Sequence, residues 1–176
     1  MIKVEKISIH PLSEADIPNL VTDFAAHNWP KPQSLFNEYL KEQQNNKRLI
    51  WVAYTDQQVA GYITLKWESQ YEPFHKDHIP EIMDLNVLPP FRKIGIGSKL
   101  LEVAENEAAT KGDTIGIGVG LYNAPDGGYG PAQKLYIRHG YLPNGLGLSY
   151  QYKILEYGDK AILDDDLVLW FTKKLK

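Results

Sequence analysis

The stretch Val87-Leu88-Pro89-Pro90-Phe91-Arg92-Lys93-Ile94-Gly95-Ile96-Gly97 constrains this chain more than any other. The run from Ile79 to Leu88 reads as a strand, and two consecutive prolines, which have no N–H to give a ladder, end it. From Ile96 onward, Ile96, Leu100, Leu101, Ala104 and Ala108 recur at helical spacing and draw one apolar face. A strand therefore feeds a helix through a turn that holds glycines and cations. The first turn of a helix has N–H groups without an internal acceptor, and the helix dipole adds about half a positive charge there. Gly95 and Gly97 let the backbone come close to a ligand, and Arg92 and Lys93 add positive charge. Ser98 completes the first helical turn. Taken alone, these residues suit either an anion site or a plain tight turn with a solvated Arg-Lys pair. Other phosphate motifs do not fit. There is no Gly-x-x-x-x-Gly-Lys-Ser/Thr loop, and Gly95-Ile96-Gly97 lacks the third glycine of a dinucleotide fingerprint.

The rest of the chain supplies a mixed α/β order. Ile2, Val4, Ile7 and Ile9 predict a first strand ended by His10-Pro11. Ser13, with Asp16 three residues on, opens a helix over 13–26. Leu35, Phe36, Tyr39 and Leu40 mark a second helix, closed by Asn45-Asn46. The runs 49–54 and 59–67, joined by Thr55-Asp56-Gln57-Gln58, read as a hairpin. Residues 71–77 read as a polar, aromatic loop. Past Gly112, the run from Thr114 to Leu121 is a strand with glycines at 116, 118 and 120, so something broad must press on that face. Pro131 suits the start of a short helix that ends at Gly140, and 141–152 and 167–172 supply the last strands. One domain of α/β class over residues 1–176 is the economical reading.

Composition excludes several classes of chemistry. The chain has no cysteine, so disulfides, thiolate metal sites and thiol nucleophiles are ruled out. A net charge of -3 offers no basic field for nucleic acid. No stretch reaches the ~18 apolar residues of a membrane span, and the N-terminus lacks a signal-peptide core. The expectation is a soluble, cytoplasmic protein with no membrane partner.

A second motif decides between the readings of the turn. Ala132-Gln133-Lys134-Leu135-Tyr136-Ile137-Arg138-His139-Gly140-Tyr141 lies one helix and one strand after Arg92-Lys93-Ile94-Gly95-Ile96-Gly97. The first motif resembles the Arg-x-x-Gly-x-Gly signature of the GNAT superfamily of N-acetyltransferases. The second resembles that family's Ala-x-x-Leu-Tyr-x-x-x-Gly-Phe/Tyr signature, and the element order matches along nearly the full chain. The resemblance implies a mostly antiparallel central sheet, splayed between the Ile79 to Leu88 and Thr114 to Leu121 strands and flanked by helices. It also implies acetyl-CoA as co-substrate, no metal, an amine acceptor and a homodimer.

Residue by residue, the resemblance gives the backbone of Arg92, Lys93, Ile94, Gly95, Ile96, Gly97 and Ser98 to the CoA pyrophosphate. It gives Leu85, Asn86 and Val87 to the pantetheine arm, and Ala132 and Tyr136 to the cofactor as well. Tyr136 stands where the family's phenol faces the thioester sulfur, which makes it the candidate acid; its other reading is a packed helix aromatic. The base is open between Glu81, Asp84 and a chain of waters. Glu81 is preferred because it falls where some members carry a glutamate base. Strand alternation puts residues 81 and 84 on opposite faces unless a bulge intervenes. Where many relatives carry an asparagine that contacts the cofactor, this chain has Tyr129. Either Asn123 reaches back across the longer loop Ala124-Pro125-Asp126-Gly127-Gly128, or that contact is replaced.

Other features are weaker. His75-Lys76-Asp77-His78 lacks further clustered ligands, and Asp164-Asp165-Asp166 lacks a calcium-loop pattern, so both read as solvated turns. Trp29, Trp67, Tyr71 and Phe74 either pack or rim the acceptor mouth. The activity expected is acetyl transfer to a primary amine of a small molecule in a ternary complex. The alternatives are an acyl-CoA sensor with little turnover and a protein or peptide acetyltransferase.

Overall fold

The computed structural model describes residues 6–124 and 128–175. Ile2 and Val4 of the expected first strand lie outside them, as do Pro125, Asp126 and Gly127 of the long loop. The chain forms two compact units, one of residues up to 66 with 83–104, the other of residues 67–82 with those from 105 on.

In the first unit, β1 (Ile7–Pro11) pairs antiparallel with β2 (Arg48–Thr55), which pairs antiparallel with β3 (Gln58–Lys66). Pro11 is the last residue of β1, so the strand runs through the proline expected to end it. The β2–β3 hairpin turns on Asp56 and Gln57, both left-handed at φ 47° and 71°. That is the twist a two-residue hairpin loop needs, made here without glycine. Asp16 accepts the Ser13 N–H at 2.8 Å, which seats the entry to α1 (Ile17–Ala26). Pro18 falls in the first turn of α1, where a missing N–H costs nothing. With α2 (Gln33–Gln44), α1 buries its apolar face on the hairpin, where Phe24 and Phe36 stand 5.4 and 5.5 Å from the ring of Tyr62. The unit ends with residues 83–87 of β4 (Glu81–Val87), a 3-10 turn at Pro89–Phe91, and the start of α4 (Ile96–Ala108).

In the second unit, β4 begins with Glu81 and Ile82, which pair in parallel with Gly116 and Ile117 of β5 (Thr114–Gly120). β5 pairs antiparallel with β8 (Leu167–Lys174), and β8 with β6 (Leu142–Tyr150). A two-residue strand, β7 (Lys153–Ile154), turns back on β6 through the left-handed pair Gln151 and Tyr152. The expected strand over 141–152 is thus a strand and a hairpin turn. The fold class is the expected mixed α/β, with an eight-stranded, mostly antiparallel sheet order of β1-β2-β3-β4-β5-β8-β6-β7.

Residues 71–77 do not form a loop. Glu72–Lys76 is a helical turn, α3, because Tyr71 and Phe74 face inward together and are fully buried. Tyr71 stacks on Trp170 at 4.2 Å, and Phe74 meets both rings edge-on at 5.1 and 5.2 Å. These rings are what presses on the glycines of β5. A Cβ at Gly116 would enter the ring of Phe74, one at Gly118 would come within 2.9 Å of Trp170 and Val168, and one at Gly120 would enter the ring of Tyr129. The glycine face is therefore filled by the protein's own aromatics. Tyr71 and Phe74 are buried and pack in the core. α5 (Gly130–Arg138) follows the long loop, and Gly140, at φ 87°, ends it.

Candidate active site

The β4–α4 connection has the shape the sequence called for. Ile96, Leu100, Leu101, Ala104 and Ala108 are all buried, so the apolar face of α4 is seated, and Lys99 N–H donates to the Gly95 carbonyl at 3.0 Å. That bond puts Ile96, Gly97 and Ser98 in the first helical turn. Lys93 and Gly95 are both left-handed, at φ 64° and 91°, and curl the chain back on itself just before the helix. Successive backbone reversals of this kind turn N–H groups toward a common concavity that suits an anion. A Cβ at Gly95 would meet nothing within 4 Å, so the glycine is required by its φ and leaves open space on its surface. Arg92, Lys93 and Ile94 are exposed. The Arg92 Nε donates to the Val87 carbonyl at 2.9 Å, which ties the turn to the end of β4, and its guanidinium lies 5.9 Å from the ring of Trp29. Lys31 caps the same ring at 4.8 Å. Leu85 and Val87 are half-buried, and Asn86 is buried.

The two carboxylates of β4 have separate surroundings. Glu81 is only 4% exposed, and its Oε2 accepts the Ser69 hydroxyl at 2.5 Å. The Ser69 Oγ in turn accepts the Tyr71 N–H at 3.0 Å. Asp84 is exposed and left-handed at φ 48°, an irregularity inside a strand that breaks the simple alternation between 81 and 84. Its carboxylate accepts the Tyr39 O–H. Neither Ser69 nor Tyr39 was legible as a site residue. Tyr39 lies 45 positions from Asp84 on a helix read only for its apolar spacing, and no local pattern joins them.

In the second unit, Tyr136 is 6% exposed on α5, 6.1 Å from the ring of Tyr141. Tyr141 N–H donates to the Tyr136 carbonyl at 3.0 Å, so Gly140 and Tyr141 close the helix directly beneath Tyr136. The Gln133 side chain donates to the Gly120 carbonyl at 3.1 Å and fixes α5 to the end of β5. Ala132 is half-buried. Tyr129 packs over Gly120 and meets Tyr122 edge-on at 5.1 Å. Its hydroxyl donates to Asp165 at 2.7 Å. Burial, with the Asp165 carboxylate, pushes that phenol well above its ordinary value. Asn123 is exposed. Trp67 is half-buried beneath the Lys111 ammonium, 3.7 Å from its ring. Among the described residues no cluster of three His, Asp or Glu side chains could hold a metal, and no helix is long and apolar enough to cross a membrane.

The family model for the acetyltransferase (GNAT) family matches residues 16–141, a span that includes both signatures. The chain belongs to the GNAT acetyltransferase family. It is an acyltransferase that uses acetyl-CoA. Solved structures carry the same fold. An N-acetyltransferase from Staphylococcus aureus Mu50 superposes with a TM-score of 0.69 at 20% identity, over 98% of this chain and 100% of that one. The ribosomal-protein-S18-alanine N-acetyltransferase of Escherichia coli gives 0.65 at 17%, over 97% and 94%. The yncA protein of Salmonella typhimurium, solved with its cofactor acetyl-CoA, gives 0.66 at 16%, over 97% and 94%. No curated protein sequence matches this acetyltransferase.

Proposed function

We propose that this acetyltransferase transfers the acetyl group of acetyl-CoA to a primary amine of a small molecule, by direct attack in a ternary complex. The open, doubly left-handed turn at Lys93 and Gly95 carries the reading, because it presents the start of α4 to an anion with no side chain in the way. The residues from Arg92 to Ser98 would hold the pyrophosphate, and Leu85, Asn86 and Val87 would pair with the pantetheine arm. Because Asp165 holds the Tyr129 hydroxyl, exposed Asn123 is the better candidate for the loop's cofactor contact. Ala132 and Tyr136 complete the cofactor set. The family match runs through both units, which supports reading residues 1–176 as one acetyltransferase domain. A cysteine-free chain fits a cytoplasmic setting.

Acetyl-CoA supplies a thioester carbonyl to the amine. An alkyl ammonium titrates near pKa ~10, so the acceptor must lose a proton before it attacks. We assign that proton to Glu81, through water, and the proton gained by the departing thiolate to Tyr136. Glu81 is buried and its carboxylate is held in place by the Ser69 hydroxyl, a fixed geometry that suits a positioned base. The Glu81→Gln enzyme is expected to lose the acidic limb of its kcat/KM profile, whereas Asp84→Asn should keep it. The opposite pattern would transfer the role to Asp84. The overall reading is tested by release of CoA thiol on adding a panel of alkyl amines, arylamines and N-terminal peptides to enzyme and acetyl-CoA. Tight binding without thiol release from any acceptor would make the chain a sensor, and release with peptides alone would make it a protein acetyltransferase.

A further inference from the structure

Asp84 is held in a conformation that strands avoid, and its carboxylate faces solvent with a buried phenol attached. We propose that Tyr39 is a positioning residue of the acceptor site: its O–H holds the Asp84 carboxylate as the docking group for a cationic alkyl ammonium. The proposal rests on the acetyltransferase reading above and names the charge state of the acceptor that this site takes.

A left-handed non-glycine residue inside a strand costs on the order of 1–3 kcal/mol and persists only where its surroundings enforce it. Here they do. The Asn86 side-chain amide donates to the Asp84 carbonyl at 3.4 Å, and β3 carries glycine at 61, where a Cβ would run into the Asn86 carbonyl. The backbone is thus shaped to carry Asp84 outward. The Tyr39 hydroxyl donates to Oδ2 of that carboxylate, and among the described residues no other hydrogen bond engages the carboxylate. Burial, then the negative charge of Asp84, raises the Tyr39 phenol far above its ordinary value, so Tyr39 remains a donor at any working pH.

The neighbouring cation is committed elsewhere. Arg48 is buried, with its Nε on Glu42 at 2.5 Å, its Nη1 on the Thr64 hydroxyl at 2.9 Å, and its guanidinium 4.6 Å from the ring of Tyr39. It clamps the Tyr39 ring and forms no ion pair with Asp84. Tyr62 is fully buried on β3, and burial first and the charge of Asp84 second keep its phenol neutral. Asp84 therefore meets the neutral phenol of Tyr39 and, among the described residues, no paired cation. An exposed carboxylate oriented at some cost in strain, on the strand that leads into the anion turn, is completed by the ammonium of the acceptor.

The test compares the fastest alkyl ammonium acceptor of the thiol-release panel with 4-methoxyaniline, which is neutral at assay pH. Tyr39→Phe keeps the ring beneath Arg48 and removes the hydrogen bond to a charged group. It should raise the KM of the alkyl ammonium about tenfold or more, with the KM of acetyl-CoA and the rate with 4-methoxyaniline within about twofold. Asp84→Asn, at an exposed position, should give the same selective loss, and Tyr39→Phe added to it should give no further loss. Independent, multiplying losses, or equal losses for both amines, would overturn the proposal. A wild-type enzyme that binds acetyl-CoA and acetylates no amine would overturn the acceptor reading itself, and this proposal with it.

Discussion

Tyr136→Phe is expected to lower turnover on the order of a hundredfold, the usual contribution of a positioned general acid. Acetyl-CoA affinity should stay within about twofold. The substitution keeps the ring that packs 6.1 Å from Tyr141 and deletes only the hydroxyl. Loss of a hydrogen bond at a buried phenol costs about 1 kcal/mol of stability, too little to unfold the enzyme. A fall in kcat without a rise in the Kd of acetyl-CoA is therefore the signature of a proton withheld from the leaving thiolate. Single-turnover thiol release separates this from slowed product release. An unchanged rate would leave Tyr136 as a core aromatic and remove it from the mechanism.

The largest expected loss of stability is at Gly116. A methyl group there would enter the ring of Phe74. Phe74 cannot swing away, because Tyr71 and Trp170 hold it edge-on at 5.1 and 5.2 Å, and all three rings are buried. Gly116→Ala should then destabilise the protein by about 3 kcal/mol, the upper range for forcing atoms into a packed core. Gly112→Ala is the matched control, since an added Cβ there meets nothing within 4 Å. Adding Phe74→Leu to Gly116→Ala should recover part of the loss, which two independent defects would not do. Urea unfolding of the four proteins measures all of this, and a loss below about 1 kcal/mol for Gly116→Ala would refute the packing account.

What was legible in the sequence was what local chemistry decides. Pro89-Pro90, the glycines at 95 and 97, and the apolar spacing from Ile96 to Ala108 each act within a few residues, so the strand, the turn and α4 stand where expected. The glycines at 116, 118 and 120 announced a broad neighbour but not which one, because Phe74, Trp170 and Tyr129 arrive from three other segments. The helical turn at Glu72–Lys76 was invisible for a related reason. Five residues are too few to hold a helix by propensity, and this one exists because Tyr71 and Phe74 are pulled into the core. The left-handed backbone at Asp84 has no local marker either, since an aspartate is no more than tolerant of it. Its partner Tyr39 comes from a distant helix. The candidate acid and the anion turn were readable as motifs, whereas the partners that tell Glu81 from Asp84 were not.

The ring of Trp29 has both Lys31 and Arg92 close to it, and the same Arg92 side chain is tied to the strand end beside the anion turn. The emission of an indole shifts with the charges close to its face. A phosphate that draws Arg92 toward it changes the field on Trp29. The protein thus carries its own optical probe of phosphate docking at the turn, one that Trp29→Phe would silence among its four tryptophans, and needs no attached dye.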